Sequence, residues 1–457
     1  MEEKKIKEKE KTKEKEKEFQ SIIDKLNDHY IFENNLENNL ENNLENNLEN
    51  NLENKFTDQS YEKIEKKIED IFEKDSNPLS EIHKKSLYFL HMPIHTDDEV
   101  LEQPDWFDIE KFEKGQRFAR DNLAGLFLAQ FYGLISLLCH EDGLDTLIMT
   151  QKSHTPYSSF KRYLSTSECV RIWYKENPWR KDTEAHKYIL RVRKMHFNVR
   201  TKLDGIDQKK IKEISAIKNP HCPLFRPMID DFSTSLPKGT FADYWYEKYY
   251  LNDISTTTSK RRNLNQMDSS YTLFGFMGFA ILFPDHFGID KNDDESLENL
   301  CYVWRCIGYL LGVDDQVNMC CGSLKEVKAR CQIYVNQFVK PALRRISPQW
   351  EHMIRCVIEG FSYYLMVPSF ETIMLLFAEI LDLQMPTFYS SLTFFQRIEY
   401  YYIKYFLRFL MKFQFMRYLA NKRINRSIDK ALHFDRAKIA ELQARSMNSP
   451  LHVSVGN

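Results

Sequence analysis

Two short stretches hold the residues with the clearest chemical potential. "TPYSSFKRYLSTSECVRIWY" carries Arg162 and Thr166 four residues apart, and "RVRKMHFNVR" sets His196 among basic neighbours. An imidazole that points inward near positive charge is held neutral, because burial and like charge both disfavour imidazolium, and its lone pair then suits a metal. A guanidinium and a hydroxyl on one helix face suit an anionic group such as a propionate, or a polarised oxygen species. Each residue also has a plainer reading. The histidine fits a core position bonded to a carbonyl, the arginine a solvated surface, and the threonine a bond back to its own helix.

Helices must position these side chains. Ala185, Ile189, Val192, His196, Val199 and Leu203 are spaced 4, 3, 4, 3, 4, which predicts a helix from Thr183 to Leu203 with all six on one face. Arg191, Arg193, Lys194 and Arg200 then fall on other faces. Thr155-Pro156 is a helix start, and puts Arg162 and Thr166 on a shared face. Among competing histidines, His186 sits roughly 80° off the His196 face, and His154 precedes Pro156 in a loop.

The surroundings are helical throughout. From Lys84 onward apolar residues recur at three- and four-residue spacings, Gly and Pro are sparse, and strand alternation is absent, which predicts an all-α fold built as one large helical domain. Residues 1–55 form a low-complexity appendage: a Lys/Glu run, then five "ENNL" copies whose leucines drift about 40° per repeat on a helix and cannot form a stripe. The helical domain is expected over 56–386, and an aromatic and basic helix with a tail over 387–457. The apolar run Asn122 to Cys139 approaches the length of a membrane span, but reads as the central buried helix of the domain because polar helical sequence resumes on both sides.

Composition narrows the function classes. Over 457 residues, 64 basic and 66 acidic side chains leave a net charge of −2, so no global field recruits nucleic acid. Nine cysteines without a C-x-x-C pair point to buried thiols in a reducing compartment, and argue against zinc knuckles, disulfide scaffolds and covalent haem attachment. The N-terminus lacks the apolar region of a cleaved signal peptide.

The ordered motifs "F-x-R-Y-L-x-T", "V-R-K-M-H", "F-G-F-M-G-F-A-I-L-F-P-D-H-F-G-I" and "Y-V-W-R-C-I-G-Y-L-L-G-V-D-D-Q-V-N" resemble the rubber oxygenase (latex-clearing protein) catalytic domain family, nearest its animal branch, from about Trp106 to about Pro386. The resemblance implies a globin-like helical core holding a non-covalent haem b. His196 matches the proximal iron ligand, and Arg162 and Thr166 match the conserved pair beside the haem. It further implies O₂-dependent oxidation of a hydrophobic small-molecule or lipid substrate, isoprenoid in character, by an intracellular protein peripheral to the endoplasmic reticulum membrane. A haem-binding sensor or carrier, and a haem-free membrane-associated scaffold, are the alternatives.

Two departures favour those alternatives. Ser165 stands where some bacterial members have an iron-capping lysine, and the family's acidic base has no clear match, the nearest acids being Glu141, Asp142 and Asp145. Gly275, Gly278 and Gly288 read as close-packing positions, and Asp314, Asp315 and Asn318 as a helix end or polar turn. Beyond the matched region, residues 397–426 are aromatic and basic, with Lys404, Arg408 and Lys412 in a four-residue stripe. That pattern suits a membrane-interface helix with the stripe toward phospholipid headgroups, or a helix packed on the domain.

Overall fold

Thr155 begins the helix that carries Arg162: its hydroxyl accepts from Ser158 N (3.2 Å), Ser158 returns a bond to the Thr155 backbone N–H (3.1 Å), and Pro156 takes the first helical position. The computed structural model describes residues 86, 88–95, 102–206, 208–236, 238 and 264–453; the 1–55 appendage lies outside them. The principal helices are α1 (Ile109–Asp121), α2 (Leu123–Leu138), α3 (Glu141–Met149), α4 (Pro156–Trp173), α5 (Glu184–Asp204) and α6 (Gln266–Leu282). They continue with α7 (Asp294–Leu310), α8 (Pro348–Ser362), α9 (Phe370–Ile380), α10 (Phe394–Phe409), α11 (Gln414–Leu432) and α12 (Arg436–Met447), and shorter helical turns connect them. The fold is all-α and forms a single domain; among the described residues there is no strand, only an isolated bridge between Pro93 and Asn265.

Helix α2 is the centre of the core. Leu126, Ile135 and Leu138 are buried, and its one interior amide, Gln130, donates to Tyr174 Oη (3.0 Å), which also receives the indole N–H of Trp304 (3.0 Å). Glycine brings α2 and α6 together: a Cβ on Gly133 would run into the Gly275 carbonyl, so only hydrogen fits where the two backbones cross. Helix α7 packs on α1, and α8 packs on α4 where Gly360 abuts the backbone of Pro156 and Phe160.

Between α1 and α2 the chain turns through 91° at Asn122. Asn421 of α11 caps that bend: its Oδ1 accepts from Ala124 N (2.9 Å) and its Nδ2 donates to the Asp121 carbonyl (2.8 Å), pairing groups that a broken helix leaves orphaned. The C-terminal helices are thereby tied to the core, and Ile428, Ala431 and Leu442 join Phe160, Leu164 and Tyr363 in a second buried cluster. Among the described residues no single helix is long and apolar enough to cross a membrane.

Helix α10 faces the core with Tyr400, Ile403 and Leu407, spaced 3 and 4. Its basic stripe is turned toward the domain, as in the packed alternative that the sequence leaves open. Lys404 and Arg408 pair with Glu379 (3.0 and 2.9 Å), and Lys412 pairs with Asp285 (3.2 Å). Carboxylates on two separate elements attract this stripe inward, and such long-range partners are invisible to helix periodicity.

Candidate functional site

Helices α4 and α5 meet along a cavity of about 1130 Å³, and Arg162, Thr166 and His196 all line it. On α4 the register is helical: Arg162, Thr166, Cys169, Val170 and Trp173 follow one face into the cavity. On α5, Thr183 accepts from His186 N (3.2 Å) and starts the helix one residue later than the spacing predicts. The apolar face then divides: Ala185, Ile189 and Leu203 are buried in the core, whereas Val192 and His196 look into the cavity.

His196 is half-buried and lines the cavity. Its pKa is pushed down to about 4, first by burial and then by the Arg162 guanidinium. Among the described residues it has no hydrogen bond or ion pair, so the neutral ring keeps its lone pair. Arg162 likewise has no carboxylate partner among them, and its guanidinium lies 5.7 Å from the Tyr163 ring centroid. Thr166 donates to the Arg162 carbonyl (3.0 Å), as the plainer reading of a helical threonine expects, and offers the cavity only its acceptor lone pairs. Ser165 is exposed and does not line the cavity.

Other basic neighbours of His196 act elsewhere. Arg193, which the spacing sends to an outer face, is buried at 5% exposure and donates to the Leu310 carbonyl (3.0 Å) at the end of α7. Arg200 donates to the Ile94 carbonyl (2.6 Å). Both guanidiniums answer helix-end or loop carbonyls from distant sequence and do not line the cavity, whereas Arg162 does. His186 donates Nδ1–H to the Pro178 carbonyl (2.8 Å) and His154 to the Gln151 carbonyl (3.0 Å), and neither lines the cavity. The competing histidines are instead His91 and His140, and His140 hydrogen-bonds Tyr334 Oη (2.9 Å).

The acids nearest the expected base position also reach this cavity. Glu141 is exposed and pairs with Lys212 (3.3 Å), and Asp142 lies beside it on the wall. Asp145 is buried, and burial pushes its pKa up to about 6 despite a Ser215 hydrogen bond and the nearby Lys212. Sequence spacing gave no reason to prefer Asp145; the signal is burial on the inner side of α3.

The wall holds one neutral imidazole, His196, without a hydrogen bond and one guanidinium, Arg162, without a carboxylate partner among the described residues. Tyr163 Oη and Trp173 Nε1 are buried polar atoms on the same wall with no hydrogen-bond partner, which leaves them for a polar group of a ligand. Among the described residues no cluster of three or more His, Cys, Asp or Glu forms a protein-only metal cage. All nine cysteines are free thiols. Near the Asp314–Asn318 turn, Arg305 binds Asp315 through Nε (3.3 Å) and Nη2 (3.0 Å), a structural pair. No protein-family model, no curated protein and no solved structure matches this chain.

Proposed function

We propose that the chain is a haem b-dependent oxygenase acting with O₂ on a hydrophobic, isoprenoid-like substrate. The observation that carries this reading is the convergence of His196, Arg162 and Thr166 on one large, mostly apolar cavity, with the imidazole neutral and without a hydrogen bond, and the guanidinium without a carboxylate partner, among the described residues. The globin-like arrangement that the resemblance implies belongs to the same proposal.

In this reading His196 would hold the haem iron through its imidazole nitrogen and Arg162 would hold a propionate. Bound there, haem supplies a redox-active iron able to bind O₂ and oxidise a neighbouring double bond. The apolar wall from Phe127, Leu134, Phe276 and Phe361 excludes water and orients an alkene. The volume exceeds the roughly 300–1,000 Å³ of ordinary ligand sites, which leaves room for an apolar ligand beside the cofactor. Asp145 is suited to accept a proton near neutral pH.

One observation favours the non-catalytic carrier reading. Thr166 donates within its own helix, so it has no proton for bound oxygen in this geometry. Oxygen uptake by haem-loaded protein with and without isoprenoid lipids separates the two: lipid-dependent uptake supports the oxygenase, and haem binding without uptake supports the carrier.

A further inference from the structure

Helix α10 and the start of α11 turn an aromatic surface outward. Phe395, Ile398, Tyr402, Tyr405 and Phe409, spaced 3, 4, 3, 4, form one stripe on α10, and Phe395, Tyr402 and Phe409 are 80%, 63% and 59% exposed. Phe413, Phe415 and Tyr418, each more than half exposed, follow it beyond the helical turn Leu410–Lys412 that separates α10 from α11. A contiguous apolar surface of this kind marks an interaction face.

Charge identifies the kind of partner. From Phe394 to Arg426 the chain has eight basic residues and one acid, Glu399. Three bases are neutralised by Glu379 and Asp285, and Glu399 is held by the Ser369 and Thr372 hydroxyls. The other five, Arg397, Arg417, Lys422, Arg423 and Arg426, pair with no carboxylate among the described residues. Their hydrogen bonds among the described residues run to neutral groups, such as Arg417 to the Lys412 carbonyl (2.9 Å) and Lys422 to Tyr418 Oη (3.4 Å). Aromatic rings bordered by unpaired cations match the acyl–headgroup boundary of an anionic bilayer. A second copy would set like charges against each other across a two-fold axis.

The cavity reaches the same surface. Met366, 81% exposed, Leu419 and Arg423 lie on its wall, so one part of the cavity wall comes to the surface next to Tyr418 of the aromatic surface. We propose that this face docks on a bilayer bearing anionic phospholipids and that the cavity receives its apolar ligand from that bilayer through the mouth at Met366, Leu419 and Arg423. Only the second half rests on reading the cavity as a site for a hydrophobic ligand.

The test is cosedimentation of the full chain, haem-free and haem-loaded, with vesicles of phosphatidylcholine alone or with phosphatidylserine, carrying a trace of radiolabelled isoprenoid alcohol. The expected result is binding to the anionic vesicles that weakens with added salt. A triple variant, Phe395→Ser, Tyr402→Ser and Phe409→Ser, should fold normally, because these side chains are exposed, and bind at least about tenfold more weakly. Leu419→Arg adds a cation to this face, so it should sediment at least as well as the wild type yet take up less label. Wild-type binding that ignores lipid charge, or a triple variant that binds unchanged, overturns docking. Dimerisation in solution that the triple variant abolishes assigns the face to a second copy and also overturns it. Label uptake equal in wild type and Leu419→Arg overturns loading through this mouth. Since docking is read on haem-free protein too, a failure to bind haem leaves that result standing.

Discussion

Asp145 carries its carboxyl into the cavity wall with a pKa near 6, above the ordinary aspartate value of about 3.9. Between those values the folded chain binds more protons than the unfolded one, so this residue lowers stability as pH rises from about 4 to about 6, and the loss is complete above that. Asp145→Asn should remove this decline and gain roughly 2–3 kcal/mol at pH 7, as measured by urea unfolding across pH 4–8. An unchanged pH profile would place the carboxyl in contact with water. Arg162→Ala should weaken haem binding by about 1.5–3 kcal/mol, whereas Thr166→Ala, which loses only a bond to its own helix, should bind haem normally in a spectrophotometric titration. Equal losses would contradict the separate roles. At this scale the sequence was informative where position follows from local register: the His196 spacing indicated an inward ring, and the cavity receives it. Arg193 was illegible because the carbonyl that buries it ends a helix more than a hundred residues away.

The elements that position the site owe their geometry to a few close approaches and caps. Gly133 against Gly275 lets α2 and α6 touch, so Gly133→Val should cost about 1–3 kcal/mol or more through overpacking, measured by thermal unfolding. A variant as stable as the wild type would mean that the helices separate freely. The helix start at Thr155-Pro156 was readable from residue type, and the start near Thr183 from apolar spacing to within one residue; in both a threonine hydroxyl satisfies an orphan N–H. The orientation of α10 was not. Its aromatic residues cover both faces, and the side that packs is decided by Glu379 and Asp285, which no local window contains.

The molecule combines a helical core, a large cavity and C-terminal helices that complete the wall of that cavity through Phe406, Met416 and Leu419. Fold class was legible from periodicity over the whole chain, because apolar stripes at helical spacing have no other compact solution. The cavity was not, since it arises where stripes from several helices fail to meet. The role of His196 in that cavity decides the proposed function. The most direct measurement is the absorption spectrum of the purified full-length protein titrated with haem, beside that of His196→Ala. The predicted result is a Soret band at one haem per chain in the wild type, largely lost in the variant while far-UV circular dichroism stays the same, and partly restored by added imidazole. A full, unshifted band in His196→Ala, or its loss on replacing His91 or His140 instead, would contradict the assignment, and a wild type that binds no haem would contradict the proposed function itself.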